Sequence, residues 1–275
     1  MSRLPGMLLA AALLAAAAPA AAQFNLNKLL DAAKNVSKAT TEIGEPEEIA
    51  IGGDLSARLL GAAPLVPNDD LQRYVNRVGR WLASQTERPN LPWAFGVLDA
   101  PEVNAFAAPG GYVFVTRGLV ARMRSESELA GVLSHEIVHV LKKHHLHAIQ
   151  KSAQMELANT AISTFSRQDQ NTPLREKLLS AGSEVFARGL DKSDELEADR
   201  LGVVIAARGG YDAYGLPAVL QTLQAMNPAD SSLALMFKTH PAPAERLDAL
   251  EKMQSLLDAY AAQPQLAARF AAAGR

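Results

Sequence analysis

Residues 125–150 read SESELAGVLSHEIVHVLKKHHLHAIQ, and this stretch decides how the chain folds. Ser125 followed by Glu128 forms a capping box, in which hydroxyl and carboxylate satisfy backbone donors that a helix start leaves open. From Val132 to about Gln150 neither Gly nor Pro interrupts the pattern, so the spacing predicts one long helix. Within it, His135-Glu136-Ile137-Val138-His139 sets two histidines at i and i+4, about 40° apart around the axis and about 6 Å apart along it. Both imidazoles reach one cation from that geometry. Glu136 flanks the same point without having to bind it, which is where a base must sit to take a proton from water beside a metal.

A catalytic zinc needs a third protein ligand and an open position. With 0 cysteines in the chain, that ligand is His, Asp or Glu. Residues 140–145 contain no glycine, so the H-x-x-G-x-x-H continuation that would supply a third histidine fails. Glu195-Leu196-Glu197-Ala198-Asp199 opens a second helix, on which Glu195 and Asp199 share a face. Glu195 is the third ligand expected, and Asp199, one turn further on, is placed to accept the second ring N–H of a ligating histidine. His144 falls about 140° round the predicted helix from His139, so it is read with His145 and His147 as structural or solvated. Lys142 and Lys143 are read as solvent-facing charge.

The surrounding chain is consistent with one globular body. Its 275 residues suffice for one sizeable core plus tails, and 48% hydrophobic against 20% charged residues is not the balance of a disordered chain. Lys and Arg number 27 against 29 Asp and Glu, so no cationic field exists to attract nucleic acid. Arg3, the apolar residues 7–18 and Ala20-Ala21-Ala22 before Gln23 read as a secretory signal peptide cleaved after about residue 22. The apolar run is shorter than the roughly 20 residues of a bilayer span. A short amphipathic stretch is expected over 25–38 and an irregular, acidic segment over 42–54. Leu71, Val75, Val78 and Leu82 predict a helix over 69–85, whereas 93–98, 103–107 and 112–116 read as short strands of a small sheet with Pro109-Gly110-Gly111 at a turn. Further helices are expected over 153–165, 174–186, 193–207, 216–226 and 243–261, with a loop over 167–173. The divisions expected are 1–22 leader, 23–64 lead-in, 65–262 main domain and 263–275 tail.

In order along the chain stand Val103-Asn104-Ala105-Phe106-Ala107, Gly110-Gly111, the H-E-x-x-H motif, the Glu195 to Asp199 run, and His240-Pro241 with Arg246. This series resembles the HtpX and CAAX prenyl endopeptidase family of zinc metalloproteases, and within it the soluble periplasmic BepA- and LoiP-like members. The resemblance implies an α+β, gluzincin-type (minigluzincin) domain, with a small antiparallel or mixed sheet packed on a mainly helical core. It implies one Zn2+ held by His135, His139 and Glu195, Glu136 as catalytic base, and Asp199 behind the ligands. Asn104, Ala105, Phe106 and Ala107 look like the edge strand along which an extended substrate pairs, since backbone hydrogen bonds hold any sequence in register.

His240 admits two roles. It plugs the open metal position and keeps the enzyme latent, the role the resemblance favours, or it donates to the oxyanion with Arg246 nearby. The function implied is a zinc-dependent metalloendopeptidase of envelope protein quality control, periplasmic, acting on unfolded or misassembled exported proteins. The chain departs from relatives in having no cysteine for a lipid anchor, no membrane spans of the HtpX kind, and little sequence after residue 262 for a helical-repeat tail. The alternative is a non-catalytic, zinc-bound chaperone or assembly factor, although a structural site needs no base such as Glu136. An aminopeptidase would need an acidic anchor for a free amine, for which no separate motif stands out.

Overall fold

The computed structural model describes residues 42–163 and 174–273. The expected leader (1–22), the stretch 25–38 and the loop 167–173 lie outside the described residues. The elements in order are α1 (Glu45–Ala62), α2 (Asp69–Ala83), β1 (Ala94–Leu98), β2 (Ala105–Ala108), β3 (Tyr112–Thr116), α3 (Arg117–Val120), α4 (Glu126–Leu141), α5 (His144–Ser163) and α6 (Leu174–Arg188). They continue as α7 (Lys192–Arg208), α8 (Gly215–Gln224), a 3-10 turn at Ser231–Leu233, α9 (Ala234–Thr239), α10 (Pro243–Glu251), α11 (Gln254–Ala259) and α12 (Ala267–Ala273). The architecture is α+β, mostly helical, with one three-stranded mixed sheet in the order β1-β3-β2. β1 runs parallel to β3 with Phe95 opposite Val113, and β2 runs antiparallel to it with Phe106 opposite Phe114. β2 is therefore an edge strand. Gly110 (φ 78) and Gly111 (φ 104) make the β2–β3 turn in the left-handed region that glycine tolerates.

α4 is the axis of the molecule. Ser125 caps it, with its hydroxyl accepting from Glu128 N at 3.2 Å, and every residue from Glu126 to Val140 is buried. A helix buried all round must be packed on every face. α2, the sheet, α7, α8 and α12 supply that packing in one core containing Val75, Leu82, Val97, Leu133, Ile137, Val203, Leu220 and Phe270. A second cluster joins α1, α5 and α6 through Ile51, Leu55, Leu146, Ile149, Leu178 and Val185. The packed body thus includes α1, through the second cluster, and α12, through the first. At its C-terminal end Arg269 pairs with the buried Glu126, which also accepts from the hydroxyls of Tyr74 (2.6 Å) and Tyr211 (2.8 Å). Among the described residues no helix is long and apolar enough to cross a membrane.

Two local expectations are corrected. The segment 42–54 is not irregular, because Glu45 begins an 18-residue helix. Pro46 suits a first turn, Glu45, Glu47 and Glu48 complement the helix dipole, and Ile51 and Leu55 share its buried face. Gly52, which reads as a breaker, is there for close approach: a Cβ would stand 1.7 Å from the Pro109 carbonyl oxygen. The long helix is not continuous either. It ends at Leu141 and restarts at His144, because Lys143 adopts φ 56. That conformation costs a non-glycine residue about 1–2 kcal/mol. It is supported by Glu48, fully buried, whose Oε2 lies 3.8 Å from Lys143 Nζ and whose carboxylate is forked by Arg88 at 3.0 Å.

Candidate active site

α4 and α7 cross at a glycine. A Cβ on Gly202 would stand 2.9 Å from His135 N and 3.0 Å from its Cα, so the helices meet backbone to backbone. That approach brings the start of α7 against His135 and His139. The Nε2 atoms of the two histidines lie 3.1 Å apart, Glu195 Oε2 is 3.6 Å from Nε2 of His135, and Glu195 Oε1 is 3.5 Å from Nε2 of His139. One donor atom from each of the three side chains lies within 4.8 Å of the others. Gly202→Ala is expected to lower stability by about 1–3 kcal/mol through overpacking. Metal affinity should fall with it, because the helix spacing sets the ligand spacing. Denaturant unfolding and metal titration of one variant measure both.

The residues fit a metal ion. Glu195 is 1% exposed, yet its Oε2 has no hydrogen-bond partner among the described residues, which is costly unless a cation completes it. Burial and the Arg246 charge press the His135 imidazole down, but bonds to Asp199 and Glu195 outweigh them and raise it to about 9. The carboxylates that favour a proton there would favour a divalent cation in its place. Burial holds His139 well below the ordinary imidazole range, so it is neutral and able to ligate.

Behind His135, Asp199 Oδ1 lies 2.9 Å from Nδ1. Arg246, from α10, forks onto Asp199 through Nε (2.8 Å) and Nη2 (2.6 Å). Burial pushes the Asp199 carboxyl up, but Arg246 and His135 draw it down to about 2, so it is ionised. The sequence reading put Arg246 beside a developing oxyanion; its Nε and Nη2 instead meet Asp199, and Nη2 also lies 3.3 Å from Nδ1 of His135.

Glu136 faces the same cleft as His139, Glu195 and His240. Burial pushes its carboxyl up to about 7, with His135 and Arg246 opposing and Glu195 and Asp199 adding to the rise. His240 follows α9, its Nε2 3.7 Å from Glu195 Oε2 and its Nδ1 3.0 Å from the Thr239 hydroxyl. Asn104, Ala105 and Phe106 line the opposite wall. Asn104 is 2% exposed, and among the described residues neither atom of its side-chain amide has a hydrogen-bond partner. The Phe106 ring meets Phe186 of α6 edge to face at 6.4 Å. The space left is about 20 Å³, room for about one water.

The helix break corrects the reading of the later histidines. His144 is buried with Nδ1 3.0 Å from His139 Nδ1, and the His145 ring centroid is 5.3 Å from that of His139. Lys142 Nζ pairs with Glu197 at 3.3 Å rather than facing only solvent. The signal for this placement is the His144-His145 pair itself, whose phase relative to His139 is reset by the break at Lys143.

Residues 69–254 match the profile of Peptidase family M48. The chain is 32% identical over 216 residues to the beta-barrel assembly-enhancing protease of Escherichia coli K12, covering 76% of this chain and 44% of that protein. It is 30% identical over 208 residues to the Yersinia pestis protein of the same name (73% and 42%), and 30% over 185 residues to the mitochondrial metalloendopeptidase OMA1 of Schizosaccharomyces pombe (65% and 52%). The chain thus spans less than half the length of those two bacterial relatives and about half that of the yeast one. With more than half of its length under the family profile, and with three side chains that could hold a metal ion in His135, His139 and Glu195, the chain belongs to peptidase family M48, a family of metallopeptidases.

Proposed function

We propose that this chain is a zinc-dependent metalloendopeptidase of the gluzincin type. The observation that carries the reading is Glu136, a buried carboxyl raised to about 7 beside a complete His135, His139 and Glu195 set, in the cleft bounded by an edge strand. Two imidazoles and a carboxylate suit Zn2+. When bound, the ion would supply a Lewis acid that polarises the scissile carbonyl and makes water a nucleophile near neutral pH. Glu136 takes the water's proton and returns it to the leaving amine. Asp199, held by Arg246, fixes His135, which makes Arg246 a positioning residue. Asn104 offers a buried, unpartnered amide to a peptide lying along β2, whose free edge runs through residues 105–107.

The substrates proposed are unfolded or misassembled exported proteins, met in the periplasm after removal of residues 1–22. The name of the bacterial relatives, beta-barrel assembly-enhancing protease, supports that direction. The test is digestion of a denatured protein by the purified chain, with fragments read by mass spectrometry. Internal cuts that stop on chelation and return with Zn2+ are expected; trimming from the N-terminus would make it an aminopeptidase. Absence of cleavage even after His240→Ala would favour a zinc-bound chaperone.

That variant is a prediction of its own. The Nε2 of His240 approaches Glu195 in a space with room for about one water, which supports a plug over an oxyanion donor. If the unplugged state is about 1–10% populated, His240→Ala is expected to raise basal turnover by about 10- to 100-fold. A fall in peptide turnover instead would assign His240 to the oxyanion.

A further inference from the structure

Lys143, in the left-handed region, breaks the helix between α4 and α5, and the first residue after the break is His144. The Nδ1 of His144 lies 3.0 Å from Nδ1 of His139, and its Nε2 lies 3.2 Å from Glu197 Oε2. Lys142 Nζ meets the other oxygen of Glu197 at 3.3 Å. The protons along this row have one consistent arrangement. A His139 that gives its Nε2 lone pair to a cation carries its proton on Nδ1 and donates it. Nδ1 of His144 must then accept, which puts the His144 proton on Nε2, where it donates to the Glu197 carboxylate.

We propose that His144 is the positioning residue of His139, holding this ligand in the tautomer and ring orientation that present Nε2 to the cation, with Glu197 anchoring His144 from the partly exposed side. The proposal rests on the reading of His139 as a metal ligand. The two ligating histidines are then supported differently, His135 directly by the Asp199 carboxylate and His139 through the His144 imidazole. It also explains what the left-handed Lys143 achieves, since an unbroken helix would carry His144 about 140° away from His139.

The test uses the full chain with Zn2+ and Co2+ as probes. His144→Ala is expected to bind Zn2+ about 10- to 100-fold more weakly, the range for loss of an outer-shell partner. His144→Asn, whose Oδ1 replaces the accepting Nδ1, should recover most of that affinity. In the Co2+-loaded protein, the paramagnetically shifted Nδ1 proton of His139 should exchange with solvent faster in His144→Ala and keep its protection in His144→Asn. The corresponding proton of His135, bonded to Asp199, should be unchanged in both. Glu197→Ala, a truncation at a partly exposed site, should loosen the His139 proton to a smaller degree and serves if His144→Ala does not fold. Unchanged exchange at His139, or equal behaviour of the Ala and Asn variants, overturns the proposal even if affinity falls, because a structural role alone would then suffice. If His139→Ala binds Zn2+ as tightly as the parent, it is the metal-ligand reading that has failed.

Discussion

Replacing Glu136 by Gln is expected to lower kcat on an unfolded protein by about 10²- to 10⁴-fold, the range a positioned acid-base group supplies, while zinc content and thermal unfolding stay as in the parent. The amide fills the same volume, so the packing of α4 is not disturbed, but it cannot accept a proton. Glu136 is outside the His135, His139 and Glu195 set, so no ligand is removed. A rival grouping makes the experiment discriminating: donor atoms of His135, Glu136 and His240 also lie within 4.8 Å of one another. If Glu136→Gln loses its zinc by elemental analysis, the metal belongs to that second group and Glu136 is a ligand. The pH profile gives a second reading. A base must be ionised, so parent activity falls as pH drops through the pKa of Glu136, which burial raises and a neighbouring cation lowers. Residual activity of the variant should lack that acid limb.

What could be read from the sequence follows from how local each cause is. The H-E-x-x-H pair was legible because the spacing of i and i+4 on a helix is independent of the rest of the fold. β2 and its turn were legible because Pro109-Gly110-Gly111 is a local turn signal, and both glycines take the positive φ that glycine tolerates. The break at Lys143 has no such local signature; it depends on Glu48, nearly a hundred residues earlier, which reaches Lys143 only in the folded state. Helix α1 was hidden by the same kind of cause, since Gly52 disrupts the pattern in order to admit the Pro109 carbonyl. The fork of Arg246 on Asp199 joins two helices, α10 and α7, that meet only in the folded state. Spacing brought His135, His139, Glu195 and Asp199 into view, while the partners that hold them came from tertiary contacts.

Glu195→Gln is expected to weaken Zn2+ binding more than any change behind the ligands, for which about 10- to 100-fold is the usual range. Glu195 Oε1 and Oε2 lie 3.5 and 3.6 Å from the two histidine Nε2 atoms, so one side chain closes the triangle. An amide there removes the charge and turns an N–H₂ toward the cation. Asp199→Ala should fall in the lower range for binding, but it does a second thing: it strands the buried Arg246 guanidinium, which is 6% exposed and has no other carboxylate bonded to it. Breaking a buried pair from one side costs about 3–5 kcal/mol, so Asp199→Ala should lose fold stability as well as affinity. Asp199→Asn, which keeps an acceptor for His135, separates the two effects. Glu197→Gln should do least, because its carboxylate meets Lys142 and His144 and an amide oxygen can still accept from His144. Metal titration of the four variants gives the ranking. A Glu197→Gln protein that binds Zn2+ worse than Glu195→Gln would mean that α7 turns its other carboxylate to the metal.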